Sequence, residues 1–269
     1  MHSVTVLQQL LSVVAGGLVG FTLGLIGGGG SILAVPLLLY FVGYHDPHVV
    51  LGTTALAVAL TAYANLLPHW RAGNIHWKPA LAFAIPGALG AVIGASVGKL
   101  VGGKQLLFLF ALLMIAVAVL MLRQRSDKSG PERAGWDMLR RVIPISLVVG
   151  LLAGFFGIGG GFLIVPGLMF ATGMPIVAAV GSSLLSVGTF GTATAITYAL
   201  AGKVSWLIAI EYLAGGILGG WIGAQVSTRM GASPSRKRLL TRIFAGVVVA
   251  VALYMLYMNA SALHLSLRL

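Results

Sequence analysis

Ten apolar runs occupy almost the whole of this 269-residue chain, at 4–26, 31–43, 47–67, 77–99, 104–122, 141–157, 161–173, 175–200, 204–226 and 238–259. A helix needs about 20 apolar residues to cross the hydrocarbon core of a bilayer. Lipid offers no hydrogen bonds, so helices, which satisfy their own backbone, are the natural way across. The chain is therefore read as an all-α polytopic membrane protein. Only 8% of its residues are charged, against about 25% in soluble domains. That leaves no solvated surface for a water-soluble enzyme or a nucleic-acid-binding domain. The net charge of +12 lies in short loops between the runs, where basic residues set orientation, so the bilayer is the expected partner and nucleic acid is not. With no cysteine there are no thiolate metal sites, and no cofactor is expected. The start lacks the basic region of a signal peptide and reads as a retained first span.

The runs are two copies of one unit. GLIGGGGSILAVP at 24–36 matches GFFGIGGGFLIVP at 154–166, pairing Gly24, Gly27, Gly29, Gly30, Val35 and Pro36 with Gly154, Gly157, Gly159, Gly160, Val165 and Pro166. At a shift of 129, Gly52-Thr53-Thr54 matches Gly181-Ser182-Ser183, Gly73 and Trp77 match Gly202 and Trp206, and Gly87, Gly90 and Gly94 match Gly216, Gly219 and Gly223. Residues 1–125 form a first transmembrane repeat, 126–140 a basic cytoplasmic linker and 141–269 a second repeat. The second run of each unit has 13 residues, about 20 Å of helix, short for a bilayer. If all ten runs cross, Lys and Arg divide 13 against 4 between the two faces; if the short runs turn back, they divide 10 against 7. The positive-inside rule favours ten crossings and two inverted repeats, with both termini outside.

Four successive glycines, Gly27 to Gly30, cost about 1 kcal/mol each relative to alanine in a helix interior and are expected to break it. A break in lipid must be buried in protein or line a wet cavity. It would leave N–H groups at the start of a new helix near Ser31, which attract an anion. Gly159, Gly160 and Gly161 repeat the device, so glycine-broken short helices are expected to meet near the midplane. Hydroxyls and amides follow at helical spacing on the third segments: Thr53, Thr54, Thr61 and Asn65 in one unit, Ser182, Ser183, Ser186 and Thr189 in the other. Such neutral donors suit an oxyanion, though they also serve helix packing. The candidate binding set is Gly28, Gly29, Gly30, Ser31, Thr53, Thr54, Asn65, Gly159, Gly160, Gly161, Ser182, Ser183 and Ser186. The glycine rows Gly90, Gly94, Gly98 and Gly215, Gly219, Gly223 are assigned to close helix packing.

Among the five acids, Glu211 lies about two turns into an apolar helix. An intramembrane carboxyl is a functional hypothesis by default, and Glu211 is the candidate proton carrier. Asp46 precedes Pro47 and reads as an N-cap. The cluster His45-Asp46-Pro47-His48 has too few ligands for a metal site. No nucleophile–base pair is visible, so no catalytic residue is assigned.

The paired motifs GGGGSILAVP and GIGGGFLIVP, each followed by a Gly-Thr/Ser-Thr/Ser step and then by GNIHW or GKVSW, resemble the TauE/SafE sulfite exporter family. The resemblance covers nearly the whole chain. It implies transport of sulfite, sulfoacetate, thiosulfate or a related organosulfonate across the bacterial inner membrane, and it carries Gly28 to Ser31, Thr53, Thr54, Gly159 to Gly161, Ser182 and Ser183 as matching positions. The expected protein is a secondary transporter of a small anion working by alternating access, in the direction of export, with protons as candidate coupling ion. A channel, or a proton-coupled carrier of other small organic anions, is the alternative.

Overall fold

The apolar runs become helices whose ends are set by local chemistry. The computed structural model describes residues 5–123, 135–230 and 234–260. Its long helices are α1 (Val6–Ile26), α3 (Pro47–Arg71), α4 (Trp77–Gly98), α5 (Gly103–Arg123), α6 (Gly135–Phe155), α8 (Ile176–Ala199), α9 (Trp206–Met230) and α10 (Pro234–Asn259). All eight are long and apolar enough to cross a membrane. Between α1 and α3 lies a composite short segment: a 3₁₀-helix Gly27–Leu33, a single turn α2 (Ala34–Pro36) and a π-helix Leu37–Phe41. Its counterpart α7 (Gly161–Thr172) is a regular α-helix. Asp46 caps α3 as expected, accepting from the N–H groups of His48 at 2.9 Å and Val49 at 3.3 Å. The two short segments end at Gly43 and Gly173, both at φ 78°, a left-handed stop that glycine adopts without strain. Most of the expected linker 126–140 falls outside the described residues; its last residues begin α6, which starts at Gly135.

The glycine rows bring helix backbones into contact. Gly16, Gly20 and Gly24 of α1 lie against the carbonyls of Tyr212, Gly216 and Gly220 of α9. In return, Gly215, Gly219 and Gly223 lie against those of Val13, Gly17 and Phe21. A side chain at any of these positions would collide with backbone, so only glycine permits this approach. The same interlock recurs between α4 and α6: Gly150 and Gly154 meet Gly87 and Ala91, while Gly90, Gly94 and Gly98 meet Leu147, Leu151 and Phe155. The opposite faces of these helices carry matched exposed leucines, Leu89 at 63% and Leu218 at 64%, as lipid contact requires.

These contacts reveal an exchange. The first helix of each half packs along the fourth helix of the other half, and α3 packs on α9 as α8 does on α4. Two bundles result: α1, the composite segment, α3 and α9 in one; α6, α7, α8 and α4 in the other. The contact registers give directions. Positions advance together in α1 with α9, in α3 with α9 (Gly52 at Lys203, Thr61 at Gly216, Asn65 at Gly220) and in α4 with both α6 and α8, so these pairs run parallel. Along α3 and α8 they advance oppositely: His48 stacks on Tyr198, Ala59 meets Gly191 and Tyr63 meets Gly188. The pair is antiparallel and joins the bundles through the centre, while α5 pairs with α10.

Both short segments fold back along their first helices. Gly30 lies against Thr22 and Leu23, and Gln8 Nε2 donates to the Gly43 carbonyl at 3.4 Å. The composite segment thus retraces α1 from Thr22 to Gln8, about 21 Å of helix. In the other half Gly160 lies against Ala153 and Gly167 against Ile145. The two fold-backs differ in form. Gly27–Leu33 stays wound as a 3₁₀-helix rather than opening, whereas Gly157, Gly159 and Gly160 hold φ of 65°, 64° and 66° in a true turn.

Candidate functional site

The two fold-backs come together at the crossing of α3 and α8. Gly27–Leu33 packs against both α7 and α8. Gly159 sits between Val58 and Val187, each close to the middle of its helix. Only residues free to adopt positive φ turn the chain here at so small a radius. Gly160 is the N-cap of α7 and brings no capping side chain, so Gly161 begins a helix whose positive dipole end points into the protein interior. Ser31, matched to Gly161, is fully buried. Gly28 and Gly29 lie within the 3₁₀-turn.

On α3 and α8, buried polar groups stand without partners. Thr61 Oγ1, both amide atoms of Asn65, Ser186 Oγ and Thr194 Oγ1 are buried and make no hydrogen bond. Native interiors satisfy nearly all such groups, so each orphan calls for water, an ion or a ligand. Asn65 and Thr194 are matched by the 129-residue shift, as are Thr61 and Phe190. Thr61 and Asn65 fill the notches at Gly216 and Gly220 of α9, and Phe190 fills that at Gly87 of α4. Asn65 and Ser186 belong to the sequence-derived set; Thr194 does not, though its offset from Asn65 was the available signal.

The Gly-Thr/Ser steps do something different. Thr53 Oγ1 accepts from the Ser205 N–H at 2.9 Å, and Gly52 lies against the Lys203 carbonyl. Ser182 Oγ accepts from the His76 N–H at 2.9 Å, and a Cβ on Gly181 would stand 2.5 Å from the Asn74 carbonyl. Each step clasps the start of the fourth helix of the other half. Thr54 Oγ1 donates to the Val50 carbonyl at 2.8 Å and lies 3.5 Å from that of Gly157. Ser183 Oγ donates to the Val180 carbonyl at 2.8 Å. Because α3 and α8 are antiparallel, the two steps are not brought together. By the contact register about twelve residues of helix, roughly 18 Å, separate them, too far for one small anion to touch both.

Glu211 lies in the second turn of α9, half-buried, with Oε2 buried and unpartnered. Lys203 is engaged elsewhere, in a 3.1 Å ion pair with Asp46. Partial burial pushes the Asp46 carboxyl up, but the Lys203 ammonium and the N–H groups of Val49 and His48 outweigh it and hold the group below its ordinary value. A cavity of about 410 Å³ opens away from the crossing, between α1, the composite segment and α10, lined by residues such as Phe21, Pro36, Tyr40 and Val247. Its apolar walls suit lipid tails rather than an anion.

The sequence profile of the sulfite exporter TauE/SafE family matches residues 12–255. The chain belongs to this family. It is similar to a probable membrane transporter protein of Xylella fastidiosa (strain Temecula1), 48% identical over 261 residues that cover 96% of this chain and 99% of that protein. It also resembles the probable membrane transporter protein YunE of Bacillus subtilis, 28% identical across 90% of this chain and 95% of that one. A probable membrane transporter protein of Haemophilus influenzae is 30% identical across 91% and 97%. No solved structure matches. Family and helices together make this TauE/SafE protein a multi-pass membrane transporter.

Proposed function

We propose that this TauE/SafE protein is a secondary transporter that exports a small sulfur-containing anion, such as sulfite, sulfoacetate, thiosulfate or another organosulfonate, across the bacterial inner membrane by alternating access. The observation that carries this reading is the meeting of two glycine fold-backs at the α3–α8 crossing, between two helices that carry buried neutral donors without partners. The anion is held there by the N-terminal end of α7 and by Ser186, Asn65 and Thr61. Thr53 and Ser182 act by holding the fourth helices in place. The two halves are inverted repeats in this reading, supported by the antiparallel course of the matched helices α3 and α8. Inverted repeats let one structure present the same site to either face. The bodies that rock are the two exchanged bundles, not the two sequence halves, because each fourth helix is interlocked with the opposite half. Arg71, Lys78, Arg140 and Arg141 share one face, which is cytoplasmic by the positive-inside rule. Glu211 is the candidate proton carrier, and the membrane potential drives a negative substrate outward.

The test is uptake of radiolabelled sulfite, thiosulfate and sulfoacetate into proteoliposomes under an imposed proton gradient or potential. Saturable uptake with counterflow supports a carrier. Non-saturating flux points to a channel, and no flux of any of these anions refutes the sulfur-anion reading.

A further inference from the structure

The charge of the substrate follows from what the centre lacks. This step rests on the transport reading above and narrows its substrate class. Among the described residues, the buried polar side chains are all hydroxyls and amides, except His69 in the last turn of α3. The orphaned groups on α3 and α8, Thr61, Asn65, Ser186 and Thr194, are uncharged and fully or almost fully buried. Every lysine and arginine whose side chain is described is exposed or half-exposed. Two that approach the bundles are already engaged: Lys99 Nζ donates to the Thr197 carbonyl at 3.0 Å, and Lys203 pairs with Asp46 at 3.1 Å. Glu211 on α9 adds no positive charge.

Moving an ion from water into a low-dielectric interior costs in proportion to the square of its charge, so a dianion meets about four times the penalty of a monoanion. What the centre returns grows only linearly with charge. The N-terminus of α7, which no side chain caps, contributes roughly half a positive charge, and neutral hydroxyl and amide donors contribute dipoles. That set matches one negative charge and falls well short of two.

We infer that the central site selects singly charged oxyanions: hydrogensulfite and monovalent sulfonates are carried, and the dianions sulfate, thiosulfate and sulfoacetate are rejected. The full-length protein in proteoliposomes, at one pH and one imposed potential, tests this with radiolabelled methanesulfonate, whose charge is fixed at one, against sulfate and thiosulfate. Saturable methanesulfonate uptake at least about tenfold faster than either dianion is expected, a difference of about 1.4 kcal/mol. Sulfite adds an internal check, because it gains a proton near neutrality: its uptake should rise on mild acidification relative to methanesulfonate. Among the described residues, the unpartnered ionisable groups in or bordering the bundles are Glu211 on α9, His48 and His69 on α3 and the buried phenols of Tyr198 on α8 and Tyr212 on α9. The same ratio is expected in His48→Gln and His69→Gln, which assigns the rise to the substrate. Saturable thiosulfate or sulfate uptake within about twofold of methanesulfonate overturns the selectivity and leaves the carrier standing. No saturable flux of any of these anions overturns both.

Discussion

Replacing Ser182 separates a structural clasp from an anion ligand. Ser182 Oγ accepts the His76 N–H at 2.9 Å, and alanine there leaves that donor without a partner at the entry to α4. A lost partner of this kind costs about 1–3 kcal/mol when buried. His76 is exposed, so water recovers part of it and about 1–2 kcal/mol is expected. For a chain of this size that lowers Tm by about 2–8 °C. Thr53→Val does the same to the Ser205 N–H while keeping the side-chain shape, and Thr53→Ser restores the acceptor and the stability. The clasps lie in different bundles with no shared partner, so the double variant should equal the sum of the singles within about 0.5 kcal/mol. The assay is thermal unfolding of detergent-purified protein, run beside anion binding on the same samples. Unchanged Tm in Ser182→Ala and Thr53→Val with anion binding abolished would refute the clasp reasoning and return both hydroxyls to the binding site.

Further outcomes follow from the same geometry. Gly20→Ala drives a Cβ into the Gly216 backbone and should cost about 1–3 kcal/mol, whereas Gly17→Ala, whose Cβ would only meet the Gly215 carbonyl at 3.7 Å, should be nearly neutral; thermal unfolding of the two variants checks this. Asp46→Asn keeps an N-cap and loses an ion pair between two side chains more than 40% exposed, worth at most about 1 kcal/mol, while Asp46→Ala loses the cap as well and should cost about 1 kcal/mol more. Because the Asp46 carboxyl is held below its ordinary value, its contribution is full above the usual aspartate range near about pH 4 and disappears as pH falls through the depressed value, so wild type and Asp46→Asn should converge in acid. Glu211→Gln should abolish uptake driven by a proton gradient and spare uptake driven by potential alone; equal response to both drives in wild type and variant would remove Glu211 from coupling.

The helix positions, the Asp46 cap and the packing role of the glycine rows were legible in the sequence because each rests on local chemistry. A row such as Gly215, Gly219, Gly223 says that a backbone must come close, but not whose, so the exchange of fourth helices was invisible. The Gly-Thr/Ser step and the Gly-x-x-x-Trp step were both recognised as repeated, yet nothing local says that they touch each other across the halves. Hydroxyls matched across a duplication suit a ligand and a clasp equally well, and only the antiparallel crossing of α3 and α8 separates them. The two glycine clusters also looked alike. Gly27 to Gly30 wind into a 3₁₀-turn while Gly157, Gly159 and Gly160 turn left-handed.

The interlocked fourth helices impose an order on biogenesis. As the chain emerges from the ribosome, α1 enters the membrane with its glycine face bare, and that face stays open to lipid until α9 arrives some 180 residues later. Likewise α4 waits for α6, so neither bundle closes before most of the polypeptide is made. A chain cut between α5 and α6 should therefore yield two fragments that are each unstable alone and rescue one another when co-expressed. Truncation before α9 should send the remainder to membrane proteases rather than leave half a transporter.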